Sequence, residues 1–519
     1  MRIISSSLFA SAFLPLLANA DCTLTTNING EYIVASYADL KLVSVGDCTS
    51  SDSYRLVADI DATLSAKENC VGKVCKGFEP IGSEADEANP DSFKGYFFGS
   101  GHYISGLYIN RPKQDWVGLF SYITTNGHVD SIALKAEHVR GHMYVGGLAG
   151  ELDGTVNAAS VTADSVLSDS DYVGGLVGMA AGSNNGFDSA YIANSFASAI
   201  VTGDFCVGGL VGIVEGEPIL HSYSKGSVHG LSIYTGGLVG STSGLIDRSF
   251  STSSVQSSDD DVGGLAGYSG DSITNSYATG SVTTTMNYVG GLVGTNGGTI
   301  STSYASGSVQ GVNSVGALVG ENEGNINSAF ASGTVTGTGN DVGGLLGFNM
   351  NAIDTLSLFL TSAEMKQSLS FKNDSFAHWD FDSTWIIYEE QTTPLLRTFM
   401  TPLTIAAKPF SKTYDGKAFR GGNGIEYSLT NVDQTKLLGT LTYDGSAQGA
   451  FDVGNYSILP LGLYSDQLGY ALTFTNGTLS IVAPISTRTK SSFSRSNFTS
   501  SQRRFNLLGQ FVRTGDRRL

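Results

Sequence analysis

The chain has 519 residues, with 29 Lys+Arg against 47 Asp+Glu for a net charge of −18; 41% of it is hydrophobic, 15% charged, and it holds 66 Gly but 10 Pro. That much apolar material excludes a disordered chain, and abundant Gly without Pro or a three-residue period excludes collagen. An acidic body argues against a nucleic-acid groove, which needs a positive field along the phosphates.

The first twenty residues read as a secretory signal peptide. Arg2 gives a positive start, Leu8 to Leu17 form a short apolar run, and Ala18-Asn19-Ala20 is an A-x-A cleavage site. No later stretch has the ~20 apolar residues of a spanning helix, so no transmembrane span is expected. The predicted location is secreted or cell-surface.

Residues 21–75 are expected to form an N-terminal cap with disulfides. Cys22, Cys48, Cys70 and Cys75 allow three connectivities, and proximity favours Cys22–Cys48 with Cys70–Cys75. Cys70 to Cys75 is C-x4-C without a nearby His, which disfavours zinc. Cys206 stands alone and reads as a spare thiol. Ser36-Tyr37-Ala38-Asp39 resembles a capping box that starts one short helix.

Residues 76–360 are one unit repeated. Gly-Gly-Leu-x-Gly begins at Gly146, Gly174, Gly208, Gly236, Gly263, Gly290 and Gly343, with Gly316-Ala317 as a variant. The steps are 28, 34, 28, 27, 27, 26 and 27 residues, and a worn copy sits at Trp116-Val117-Gly118-Leu119-Phe120. Between phrases an Ile is followed by an aromatic and then a Val, as in Ile273/Tyr277/Val282. The surplus of the 34-residue step falls between Gly178 and Ile192, predicting a protruding loop at Ala180–Asn185. Such a period means a solenoid or an array of blades, and 27 residues are too few for a blade of ~40. Gly, Ser, Thr and β-branched residues disfavour helices. The fold class is therefore all-β: a right-handed parallel β-helix in which nine coils at ~4.8 Å make a rod about 43 Å long. Phe196, Tyr223, Phe250, Tyr277, Tyr304 and Phe330 should stack as a structural ladder in which the ring is required and the hydroxyl optional. In Tyr288–Val293 either the chain bends at the glycines or both faces are covered.

Residues 361–400 are expected to close the rod, 401–485 to form a small separate β domain, and 486–519 a basic flexible tail. From Thr487 on, eight Lys/Arg against Asp516 give +7. Such an arm could touch an anionic surface, although a solvated tail without a specific partner is the plainer reading.

The search for chemistry is mostly negative. On a strand His138 and His142 would share one face but stand ~13 Å apart, too far to share a metal. Gly270-Asp271-Ser272-Ile273 has the register of Gly297-Gly298-Thr299-Ile300, which removes it as a nucleophile block. Gly72-Lys73 and Gly416-Lys417 lack the Ser/Thr of a phosphate loop. Asp259-Asp260-Asp261 is the most tempting cluster, with Asp171, Asp204 and Asp341 near the same point of their repeats. Grouped carboxylates could serve acid/base work or calcium, against a solvated turn. The sequence assigns no catalytic residue, cofactor or metal.

Val-Gly-Gly-Leu-Val-Gly with Ser-Tyr-Ala-x-Gly-x-Val resembles the GLUG repeat of large bacterial surface proteins related to filamentous haemagglutinin-like adhesins. Residues 54–61, 80–82, 93–95 and 101–104 are similar to the region preceding such repeats. Residues 376–386 and 394–396 are similar to the segment closing them. Lys412–Gly416, Gly454–Ile458 and Leu472–Ile481 resemble the YDG domain of the same adhesins. The resemblance covers about residues 30–485. It implies a non-enzymatic, adhesin-like surface protein that binds a host surface, a glycan or a matrix protein. The alternatives are a β-helix polysaccharide-degrading enzyme using the Asp run, and a matrix or biofilm scaffold.

Overall fold

The computed structural model describes residues 22–82, 92–182, 190–350, 364–371 and 379–485. The signal peptide and the basic tail lie outside these residues.

The chain divides into two units. The larger is a parallel β-solenoid of about nine turns, nearly all β as the repeat predicts. Among the described residues its strands fall into four parallel sheets of 11, 14, 8 and 9 strands, and the coils from Val145 on visit all four in turn. One coil shows the order: Ile273–Thr274, then Tyr277–Ala278 with Val282–Thr284, then Val289–Gly290, then Val293–Asn296. Equivalent residues pair in register, Ile246 with Ile273 with Ile300, and Val262 with Val289 with Val315. The stacking is carried by position, so one residue type can fill a whole column.

The chain bends at the glycines. Val289 and Val293 belong to different sheets, and Leu292 between them is fully buried in the main core. Val255, Val262, Val282, Val289, Val309 and Val315 form a smaller core of their own. The glycines let the backbone pinch between the two. A Cβ on Gly291 would sit 2.0 Å from the carbonyl oxygen of Ala317 and 3.1 Å from the Ala305 methyl. Only hydrogen fits there.

Two corners of most coils use a left-handed residue that is not glycine. One precedes Val-Gly, or Thr235-Gly236 in one coil: Trp116, Tyr144, Tyr172, Cys206, Tyr234, Asp261, Tyr288, Ser314 and Asp341 all have φ between 50° and 64°. The other lies between the first and second sheets, at Asn194, His221, Arg248, Asn275, Thr302 and Ser328. Left-handed backbone costs roughly 1–2 kcal/mol per residue. The stack offsets it, because the next Val N–H hydrogen-bonds the following coil, as Val262 does to Tyr288 O at 3.0 Å.

Parallel stacking begins well before residue 76. Tyr32–Val34 and Ser53–Leu56 already pair in parallel with each other, and the second pairs with Tyr96–Phe98. Their inward rings continue the isoleucine column, so residues 22–75 contribute strands to the stack. The short helix Tyr37–Leu40 starts at Ser36, whose hydroxyl accepts from Asp39 N. Disulfides join Cys22 to Cys48 and Cys70 to Cys75. The expected loop also shifts: Ala180 is fully buried and Val177–Ala181 is a strand, because Ala180 fills the column of Leu152 and Val214. The surplus therefore lies after Gly182 and before Ala190, and residues 183–189 are outside the described ones.

The smaller unit gathers Leu403–Val432, Gly439–Leu463 and the chain from Leu472. Its core is Ala407, Ala447, Ile458, Leu479 and Ile481. Gly454–Tyr464 pairs antiparallel with Gly477–Val482, which pairs in parallel with Phe410–Thr413.

Candidate functional site

The repeat builds two aromatic columns, and they differ in what covers them. The first is the ladder Phe196, Tyr223, Phe250, Tyr277, Tyr304 and Phe330, whose ring centroids are 4.8–5.1 Å apart with interplanar angles of 2–12°. It stands outside the coil core, on the outer face of the second sheet, since the next residue in each strand (Ala278 beside Tyr277) points inward. The closing segment covers its upper part. Phe399 meets Phe250 and Tyr277 edge-on at 5.5 and 5.0 Å, and Trp385 and Trp379 lie against Phe330 at 5.9 and 6.0 Å. Phe250 to Phe330 are thereby buried, whereas Phe196 and Tyr223 stay half-buried. Burial pushes the phenols of Tyr277 and Tyr304 well above their ordinary range. Four rungs of this ladder are packing.

The second column runs along the corner before Val-Gly. Trp116, Tyr144 and Tyr172 stack at 5.2 and 5.0 Å, nearly parallel. In the next coil the corner residue is the buried Cys206, and Phe205 supplies the ring instead, turned 82° from Tyr172 and 67° from Tyr234. Tyr268 follows at 5.7 Å. These six rings are all half-buried. Left-handed corners aim their side chains across the outer face of the fourth sheet, which explains their contacts there. Trp116 Nε1 donates to Glu151 Oε2 at 2.5 Å, and the Thr295 hydroxyl donates to Asp261 Oδ1 at 2.5 Å.

Carboxylates crowd this corner. Burial raises Glu151 to about 7; Asp153 and Glu215 add to the rise, against the opposing bond from Trp116. Burial likewise raises Asp261 to about 6, helped by Asp260, Glu321 and Asp259. Asp260 Oδ1 accepts from Asn287 N at 2.7 Å, and Asp259 Oδ1 from Asp260 N at 2.9 Å. The Asp run is thus a hydrogen-bonded corner whose charged neighbours are other acids. Asp171 is raised by burial and by Asp204, which puts these two on the same edge. His138 and His142 are apart in role: His138 Nδ1 bonds Ser165 at 2.8 Å, and His142 Nδ1 pairs with Asp115 at 2.7 Å. Among the described residues no three His, Cys, Asp or Glu side chains are placed to hold a metal.

One column escaped the sequence reading. Ser195, Ser222, Ser249, Ser276 and Ser303 are buried, and each hydroxyl accepts the N–H of the equivalent residue one coil earlier, at 3.0–3.2 Å. The signal was present as a Ser directly before five of the six ladder aromatics, Ala329 standing before Phe330.

Stacked parallel strands, Gly-Gly corners and ladders define the class: a parallel β-solenoid. A family model for the GLUG motif matches residues 261–283 and 287–310, so the chain carries the GLUG motif in two adjacent repeats. It is 36% identical over 147 residues to Halomucin of Haloquadratum walsbyi, covering 28% of this chain and 2% of that protein. It is 34% identical over 111 residues to a protein of Evansella cellulosilytica provisionally named a Gly-rich membrane protein, covering 21% of this chain and 12% of the other. The chain therefore spans a small part of these relatives. A crystal structure from Bacteroides ovatus, provisionally named an immunoglobulin A1 protease, aligns with a TM-score of 0.38 at 16% identity, over 72% of this chain and 94% of that one. GLUG repeats and a solenoid are compatible with an extracellular surface protein, and the disulfides point to an extracellular location. No helix among the described residues is long and apolar enough to cross a membrane.

Proposed function

We propose that this is a secreted, adhesin-like surface protein without catalytic activity, whose solenoid presents an extended face to a glycan or protein on another surface. One observation carries the reading. The inward columns repeat nearly the same residue, whereas the side chains that reach the surface at the corner before Val-Gly change from Trp116 and Tyr144 to Asp261 and Asp341. Conserved stacking with variable display is how solenoids offer binding surfaces. The polysaccharide-enzyme alternative is disfavoured because an acid/base pair needs converging, unlike groups in a cleft, and the charged neighbours of Asp261 are Asp259, Asp260 and Glu321. The signal peptide, the export route and the haemagglutinin relation belong to this proposal.

The test incubates the purified chain with a glycan array and a polysaccharide panel, reading retention and new reducing ends together. Saturable retention without new ends is expected. Turnover that disappears on Asp259→Asn or Asp261→Asn would make the protein an enzyme.

A further inference from the structure

The stretch of solenoid that carries most of the aromatic corner is strongly one-sided in charge. Residues 141–350 contain seventeen carboxylates and two bases, Lys225 and Arg248. Both bases are engaged elsewhere: Lys225 Nζ lies over the Tyr223 ring at 4.9 Å, and Arg248 pairs with Asp247 at 3.0 Å. Near the start of the corner column Lys113 lies three residues before Trp116, Arg111 is paired with Glu79, His142 with Asp115 and Arg140 with Asp169. Glu151, Asp171, Glu215 and Asp261 flank the half-buried rings of Trp116, Tyr144, Tyr172 and Tyr234, and His142, itself paired with Asp115, stands near Asp171. In the first three rings the faces are spent on one another, so their edges and hydroxyls line the surface. Apolar walls beside desolvated carboxylates fit a guanidinium on an aliphatic stem, which packs along rings and forks onto a carboxylate.

The same chain supplies that chemistry. Residues 487–519 hold seven Arg and one Lys against Asp516. We infer that the arginine-rich segment 487–519 of one copy docks on the acidic aromatic corner of a second copy. Charge complementarity selects this occupant: a +7 segment against a stretch of net −15. Length suffices as well, since about 13 extended residues would run the ~43 Å of nine coils. Donor and acceptor surfaces differ, so the contact is head-to-tail and propagates from copy to copy. The outcome is an assembly built from one chain.

Sedimentation velocity of the full chain tests this. Reversible self-association is expected, weakened at least tenfold between ~0.1 M and ~1 M NaCl, over which the screening length falls from about 10 Å to about 3 Å. The variant Arg503→Gln/Arg504→Gln/Arg513→Gln, which alters no solenoid residue, should lose association at least tenfold. Glu151→Gln/Glu215→Gln/Asp261→Asn should do the same. Glu137→Gln/Asp164→Asn/Asp271→Asn, which removes three acids away from the corner, should stay within twofold of the parent. In a mixture of isotopically distinct copies, carbodiimide should join Lys490 of one to a corner acid of another. A chain that is monomeric at low salt would overturn the inference. So would a tail variant that associates like the parent, equal loss in the control, or a segment that binds anionic vesicles while the chain stays monomeric.

Discussion

Tyr277 is fully buried, and its hydroxyl has no hydrogen-bond partner, on a column where Phe250 and Phe330 hold the same place. An unsatisfied buried hydroxyl costs stability, so Tyr277→Phe should raise stability by about 1 kcal/mol in urea unfolding. A loss of that size would mean the hydroxyl is bonded after all. Glu151 makes a prediction in pH. Its carboxyl is raised from 4.5 to about 7 on folding, so between those values the folded state holds the extra proton. Its contribution is full below about 4.5 and is lost as pH rises through about 7. Glu151→Gln should therefore flatten the fall of stability across that window, and a variant with the parent's slope would remove Glu151 as its source. Cys206 is 1% exposed and burial pushes its thiol up, so a thiol reagent should spare the native unreduced chain and label one cysteine after unfolding.

At the scale of the element, the Gly-Gly corner decides whether coils can stack. Gly291→Ala would force a methyl against the Ala317 carbonyl, whereas Gly344, at the same repeat position, has nothing within 4 Å of an added Cβ. Gly291→Ala should cost roughly 3 kcal/mol or more, and Gly344→Ala should be nearly neutral, both read by thermal unfolding. The corner was legible in the sequence only as a repeated phrase. Alternation alone left open whether the glycines bend the chain, because Val289, Leu292 and Val293 are all apolar. The two separate cores they enter depend on packing that no single repeat displays. The aromatic ladder was legible from its spacing, but its place outside the core was not. Inward and outward positions in a strand differ by one residue, and here the small Ala278 takes the inside while Tyr277 takes a face that a segment a hundred residues later covers. The charged corner was visible only as scattered Asp residues. Its rings come from three repeat positions, the corner itself, Phe205 just before it and Tyr268 in the fourth sheet, so no fixed spacing announced them.

For the whole molecule, stacking makes each coil depend on its neighbours, as in other solenoids. Uncompensated carboxylates along that stack repel one another, so the melting temperature at low protein concentration should rise between ~0.1 M and ~1 M NaCl. A flat or falling melting temperature would mean the charges lie too far apart to matter. The central claim is that register holds the solenoid together. The direct measurement compares urea unfolding of two single-residue insertions. One lies between Ile273 and Tyr277, where both flanking columns are buried and paired on each side. The other lies between Asn184 and Asn185, where the 34-residue step already carries a surplus. A large fall in the urea midpoint for the first, with the second close to the parent, is the predicted result. Equal midpoints for the two insertions would contradict the register on which the whole account stands.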